Sequence, residues 1–211
     1  MNLEQCDTEL IPPLGWTLRQ VRAPLCDINE TFLQLLIDLA RLPAEPQSDF
    51  IAQLREQLKH LVEPVSVIAA RAPVLLVDIK FRDREWWKRA ATEAPKGRLP
   101  PSWMPALPRQ RALIVTRATL TLAWHLARTD RDCCVVLLGM SVAVMDIMRA
   151  LSLREIDRIA ERQAGHLRPR WEDRPALWRQ VLGAATDTPG LARALALRSL
   201  QLSFAPAPLR A

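Results

Sequence analysis

FRDREWWKR occupies residues 81–89, and WEDRPALWR occupies residues 171–179. Each stretch runs from an aromatic through Asp-Arg to tryptophan and arginine. Each follows a similar lead-in, VSVIAAR at 65–71 and IDRIAER at 156–162. With IAAR set on IAER, ETFLQLLIDLAR (30–41) falls opposite ATLTLAWHLART (118–129) with a three-residue shift. DFIAQLREQLKH then falls opposite the segment at 140–151. The chain reads as two copies of one helical unit of about 75 residues. A unit that needs a second copy is most simply the subunit of an obligate dimer, duplicated here and fused about a pseudo-two-fold axis.

The join between the copies is marked by composition. PKGRLPPSWMPALPR (95–109) carries five prolines and one glycine, which block helix and sheet alike. The expected division is a first helical unit at 1–94, a linker at 95–110 and a second unit at 111–211. In the first unit, NETFLQLLIDLARL (29–42) sets Phe32, Leu35, Leu36, Leu39 and Leu42 on one helical face. A second helix opens near Ser48, and a third has Pro64 in its first turn. VLLVDIKF (74–81) is rich in β-branched residues and suits a short strand, able to pair across the axis between the units.

The second unit has sharper punctuation. ATLTLAWHLART is followed by DRDCCVVLLG, which stops at Gly139, and SVAVMDIMRAL begins with Ser141 as its N-cap. SLREIDRIAERQAG then opens with a capping box between Ser152 and Glu155 and ends at Gly165. Helix, glycine turn, helix and capped helix in succession resemble a helix-turn-helix. On the last helix Leu153, Ile156 and Ile159 face a core. Arg154, Arg158 and Arg162 repeat every fourth residue along another face. Glu155, Asp157 and Glu161 stand close enough in sequence to neutralise part of that stripe.

Charge divides the same way. Residues 1–95 hold 11 Lys+Arg against 14 Asp+Glu, a net of −3, and residues 96–211 hold 18 against 9, a net of +9. Past Lys96 every lysine-or-arginine position is arginine, the residue suited to forked contacts with phosphate or carboxylate. Any polyanion belongs to the second half. The four cysteines, Cys6, Cys26, Cys133 and Cys134, have no metal-type spacing, and there are only three histidines. The longest uncharged apolar run, 133–145, is 13 residues long, short of the roughly 20 that a bilayer demands. The N-terminus has no basic leader before an apolar run. A reducing cytoplasm fits these features, and no cofactor is implied.

The ordered series of elements carries a resemblance. CDINETFL (26–33) resembles the opening helix of the flagellar transcriptional regulator FlhD family. ATLTLAWHLARTDRDCCVVLLGMSVAVMDIMRALSLREIDRIAERQ (118–163) resembles that family's first helix, Leu-Gly turn and later helical steps. VDIKFRDR and HLRPRWED each resemble the His-Phe-Arg-Phe-Asp stretch that follows. The resemblance covers about 27–89 and 115–180. It implies an all-α dimeric subunit that joins a zinc-binding partner, FlhC, in a hetero-oligomer acting on duplex DNA at flagellar promoters. The fold expected is therefore all-α: two FlhD-like units fused as a pseudo-symmetric dimer, with a helix-turn-helix-like segment in the second and a short strand pairing between them.

Two functions compete on this reading. No nucleophile, phosphate loop or paired catalytic carboxylates stand in a recognisable setting, which argues against an enzyme. A regulator subunit would approach DNA with Arg154, Arg158 and Arg162, aided by Arg149, Arg168 and Arg170, through phosphate rather than base contacts. It would act with an FlhC-like partner, off the membrane, with a homo-oligomer open as its assembled state. An interaction protein without DNA binding would instead dock partners through Arg82, Arg84, Trp86, Trp87, Trp171 and Trp178, the residue types that dominate interface energetics.

Overall fold

The computed structural model describes residues 14–43, 48–61, 63–92 and 107–183. Most of the expected linker, 95–106, lies outside them. Helices dominate what is described. The first half contributes α1 (Leu14–Arg41), α2 (Asp49–Lys59), α3 (Val65–Arg71), strand β1 (Val77–Asp78) and α4 (Arg84–Thr92). The second contributes α5 (Arg109–Thr129), a short α6 (Arg131–Cys133) leading into a π-helical turn at Cys134–Leu138, α7 (Val142–Ala150) and α8 (Leu153–Gln163). After these come a 3-10 turn at Ala164–His166, strand β2 (Arg168–Pro169) and α9 (Pro175–Leu182).

Helix α1 starts well before the expected Asn29 and carries Pro24 within it. Proline removes one i→i−4 hydrogen bond, which is why the sequence suggests a later start. Burial outweighs that loss, because Val21, Leu25 and Ile28 extend the stripe of Phe32, Leu36 and Leu39 into one continuous buried face. Serines set the later boundaries. Ser48 accepts from the Ile51 amide and Ser141 from the Val144 amide, each at 3.4 Å. The π turn ends at Gly139, whose φ of 66° lies in the left-handed region.

The strands pair antiparallel, Val77 with Pro169 and Asp78 with Arg168. The expected strand at 74–81 is thus real but only two residues long, and its partner belongs to the second half. Val77 and Arg168 are ninety-one positions apart, as are Asp78 and Pro169. Each residue therefore pairs with the counterpart of its neighbour, the geometry of a local two-fold axis between them. The same interval recurs beyond the strands. Among the described residues, Lys80 and Trp171 are the non-glycine residues with positive φ, 51° and 57°. Their carbonyls accept from Asp83 and Arg174 amides at 2.9 Å, and α4 and α9 begin at Arg84 and Pro175. Trp87 and Trp178 keep the interval too, each giving its indole N–H to a turn carbonyl: Lys80 O at 3.1 Å and Arg170 O at 2.7 Å.

The Asp-Arg letters shared by FRDR and WEDR sit one residue out of that structural register. Asp83 caps α4 by accepting from the Trp86 amide at 3.0 Å. Its positional counterpart is Arg174, which has no capping side chain. Pro175 opens α9 instead, where a missing N–H costs nothing and φ is preset.

The halves are interleaved. Helix α1 lies along α5, α4 rests on α7, and α9 rests on α2. Asn29, fully buried on α1, uses both ends of its amide to hold the approach to β1. It donates to Val74 O at 2.9 Å and accepts from the Leu76 amide at 2.8 Å. Across the seam the Leu75 amide donates to Leu137 O at 2.9 Å, and the Arg170 amide to Leu76 O at 2.8 Å.

Candidate nucleic-acid interface

Helix α8 owes its start to a complete capping box. Ser152 Oγ accepts from the Glu155 amide at 3.3 Å, and the Ser152 amide returns a bond to Glu155 Oε2 at 2.8 Å. The Ser152 hydroxyl, and after it the Ser152 amide, hold the Glu155 carboxyl below its ordinary range. Ile156 and Ile159 are buried, while Leu153, expected in the core, is 50% exposed. Leu153 is the first residue of the helix.

The acids near the basic stripe turn elsewhere. Asp157 and Glu161 both pair with Arg117 of α5, at 2.7 and 3.2 Å, and Glu155 is engaged by Ser152. Arg154 and Arg158 are exposed and form no ion pair among the described residues. The stripe is therefore only lightly offset by its own helix, through the weak attraction between Arg158 and Glu155. Arg162 differs from them. It is half-buried, with Nε on Arg158 O and Nη2 on Ala90 O, both at 3.1 Å, so it faces the C-terminal carbonyls of α4.

Arg149 is exposed at the end of α7, one short turn before α8. Arg128 of α5 joins it, donating Nη1 to Arg149 O at 3.4 Å while its guanidinium lies 4.8 Å from the Trp124 ring. Trp124 in turn donates to Leu151 O at 2.7 Å, which seats α5 against the α7–α8 turn. Sequence reasoning overlooked Arg128. The spacing of Trp124 and Arg128, one helical turn, was the available signal.

Two further arginines are not free for an external anion. Arg168 pairs with Asp78 at 3.3 Å and Glu172 at 3.5 Å. Arg170, expected among the DNA contacts, is only 6% exposed. Its Nη1 donates to Leu75 O at 3.3 Å and Leu137 O at 2.8 Å. Burial pushes its pKa down to about 10, opposed by Asp78. Arg170 is a strut inside the seam, and its assignment to the DNA face is corrected.

The tryptophan docking patch is corrected as well. Trp87 and Trp178 are completely enclosed, and Trp86 and Trp171 nearly so. Trp87 stacks on Phe81 with centroids 6.4 Å apart. Trp178 meets Phe50 edge-on at 5.3 Å, and Trp86 meets His166 at 5.2 Å, both across the two halves. Burial, then Lys80 and Arg168, holds the His166 imidazole below its usual pKa. Arg82 is half-buried and Arg84 exposed, so Arg84 alone of the six keeps an open surface position. Trp86 and Trp178 are covered in part by rings of the opposite half, His166 and Phe50, which no single helix pattern reveals.

Among the described residues no group of His, Cys, Asp and Glu is arranged to hold a metal, and no helix is long and apolar enough to cross a membrane. Residues 116–202 match the family model described as flagellar transcriptional activator (FlhD). No curated protein and no solved structure matches the chain. The matched segment begins within α5 and takes in α7, α8 and α9, so the arginine face lies wholly inside it.

Proposed function

We propose that this chain is a transcriptional regulator subunit of the FlhD type, two fused copies of one unit, which meets duplex DNA through the α7–α8 face together with an FlhC-like partner. The observation carrying the reading is the set Arg149, Arg154 and Arg158, exposed and outside any ion pair among the described residues, inside the segment that matches a transcriptional activator family. Arg128 adds a fourth cation beside the α7–α8 turn. The contacts are with phosphates: the guanidinium groups are spread along a helix flank, and such contacts fix position rather than read sequence. Arg162 sits at the far end of the stripe and contributes after release from Ala90 O, whereas Arg168 shares its charge with Asp78 and Glu172. The fused-copy reading draws support from the ninety-one-residue interval and the two-fold strand pairing.

Binding to a duplex across a salt series, with and without an FlhC-like protein, tests this. Changing Arg149, Arg154 and Arg158 together to Gln should flatten the slope of log affinity against log salt by up to about 2.7, about 0.9 per lost phosphate contact. Duplex binding absent in both conditions, or a slope untouched by the triple change, refutes the proposal.

A further inference from the structure

Over the paired strands lies a cleft of about 740 Å³, walled by the turn after β1 on one side and the turn after β2 on the other. It exists only where the halves meet, and its volume is in the range of ligand-binding sites. Lys80 and Trp171, the non-glycine residues of positive φ among the described residues, line it together with Gly139. Backbone held in that region by non-glycine residues concentrates at functional sites. The cleft is charged as well as concave, with seven Lys or Arg side chains against five carboxylates in its lining.

Most of the carboxylates are already committed. Asp78 accepts from the Lys80 and Phe81 amides and pairs with Arg168, which also holds Glu172. Asp83 caps α4. The cations on the rim are held more loosely. Among the described residues the ion pairs of Arg84 and Arg174 are with their chain neighbours Glu85 and Asp173, at 3.9 and 3.6 Å, and both arginines are exposed. Arg89 is exposed and forms no ion pair among the described residues. Three arginine forks thus converge from both halves on one hollow.

We infer that this seam cleft is the docking site for an acidic peptide segment of a protein partner, its carboxylates taken by Arg84, Arg89 and Arg174. Arginine forks match carboxylate and phosphate alike, so the choice rests on the rest of the wall. A duplex carries one negative charge per about 1.7 Å of axis, with no gaps. Such a ladder would run over Glu85 and Asp173. A peptide can space its carboxylates to meet the arginines and offer backbone amides to the acids. The inference stands independently of DNA binding at α8.

The test uses the full chain and a fluorescein-labelled hexaglutamate peptide followed by anisotropy, with hexalysine as control. The peptide should bind, hexalysine should not, and the triple variant R84Q/R89Q/R174Q should lose at least about tenfold in affinity, as expected for several charge-assisted hydrogen bonds. The α8 variant R149Q/R154Q/R158Q should bind the peptide like the parent chain. Near-ultraviolet circular dichroism of the buried tryptophans reports whether each variant keeps its fold. The milder R84K/R89K/R174K variant, which keeps charge but loses the fork, should fall between parent and Gln variant. No hexaglutamate binding by the parent, equal binding by the cleft variant, or loss on the α8 variant instead overturns the inference. So does a cleft variant that keeps the peptide but loses duplex DNA.

Discussion

The guanidinium of Arg170 closes over Gly139 so tightly that no Cβ fits between them. One residue ends a π-helical turn and the other runs from β2, so the contact locks two elements of the second half. The same guanidinium reaches Leu75 O of the first half. Gly139→Ala should therefore be penalised twice, by its φ of 66° and by displacement of Arg170 from its carbonyls. We expect a loss of at least about 2 kcal/mol, combining left-handed strain with a disrupted buried hydrogen-bond set. Urea unfolding with an unchanged midpoint would show that the seam tolerates a shifted Arg170.

Ser152→Ala removes the hydroxyl that opens α8 and should cost about 0.5–2 kcal/mol. The penalty should also depend on pH. The Glu155 carboxyl is held below its usual range by Ser152, so its contribution is present above the unfolded glutamate value of about 4.3. It is lost as pH falls through the lower folded value. Melting temperatures of parent and variant should converge in acid and separate toward neutrality. A gap that stays constant down to the acid limit would mean the carboxylate takes no part in the cap.

Thr119 of α5 is completely buried, and its hydroxyl finds no hydrogen-bond partner among the described residues. Valine has the same shape without the polar atom. Leaving a buried hydroxyl unsatisfied costs about 1–3 kcal/mol, so Thr119→Val should raise stability by about 1 kcal/mol. A destabilised variant would indicate that the hydroxyl is satisfied in solution.

Burial pushes the thiols of Cys133 and Cys134 up to about 12, aided by Asp130 for the first and by its neighbour Cys133 for the second. Both are free and buried. The thiolate is the reactive form, so at pH 8 neither should react with iodoacetamide on the timescale of an exposed cysteine. In denaturant both should label fully. Peptide mapping that finds either one modified in the folded chain would contradict this burial.

What the letters revealed was local, and what they hid was not. The caps at Ser48, Ser141 and Ser152 act over three residues, and a reader of sequence meets all the parts at once. Helix periodicity placed Ile156 and Ile159 inside for the same reason. The extension of α1 was masked by Pro24, whose cost is visible in sequence while the burial that offsets it is not. Arg170, Trp86 and Trp178 were misread because part of their surroundings arrives from the other half: Leu75 lies 95 residues from Arg170, and the rings His166 and Phe50 lie against Trp86 and Trp178. The likeness of FRDR to WEDR was legible as letters, yet the shared Asp-Arg step sits one residue away from the interval that backbone dihedrals define.

The interleaving also sets a schedule for synthesis. When α4 has left the ribosome, the helix it rests on, α7, and the strand that pairs with β1 have not yet been translated. Pro169 follows Thr92 by nearly eighty residues, which at about 5–20 residues per second is a delay of roughly 4–16 s. Throughout that interval Phe81, Trp86 and Trp87 lack the cover that the second half provides, although all three end up enclosed. The nascent first half is thus a sticky intermediate whose natural cover is its own unfinished sequel. A slow codon run or a stall between residues 92 and 169 would lengthen that exposure and favour pairing with a neighbouring nascent chain. Misassembly of this kind would join the first half of one molecule to the second half of another.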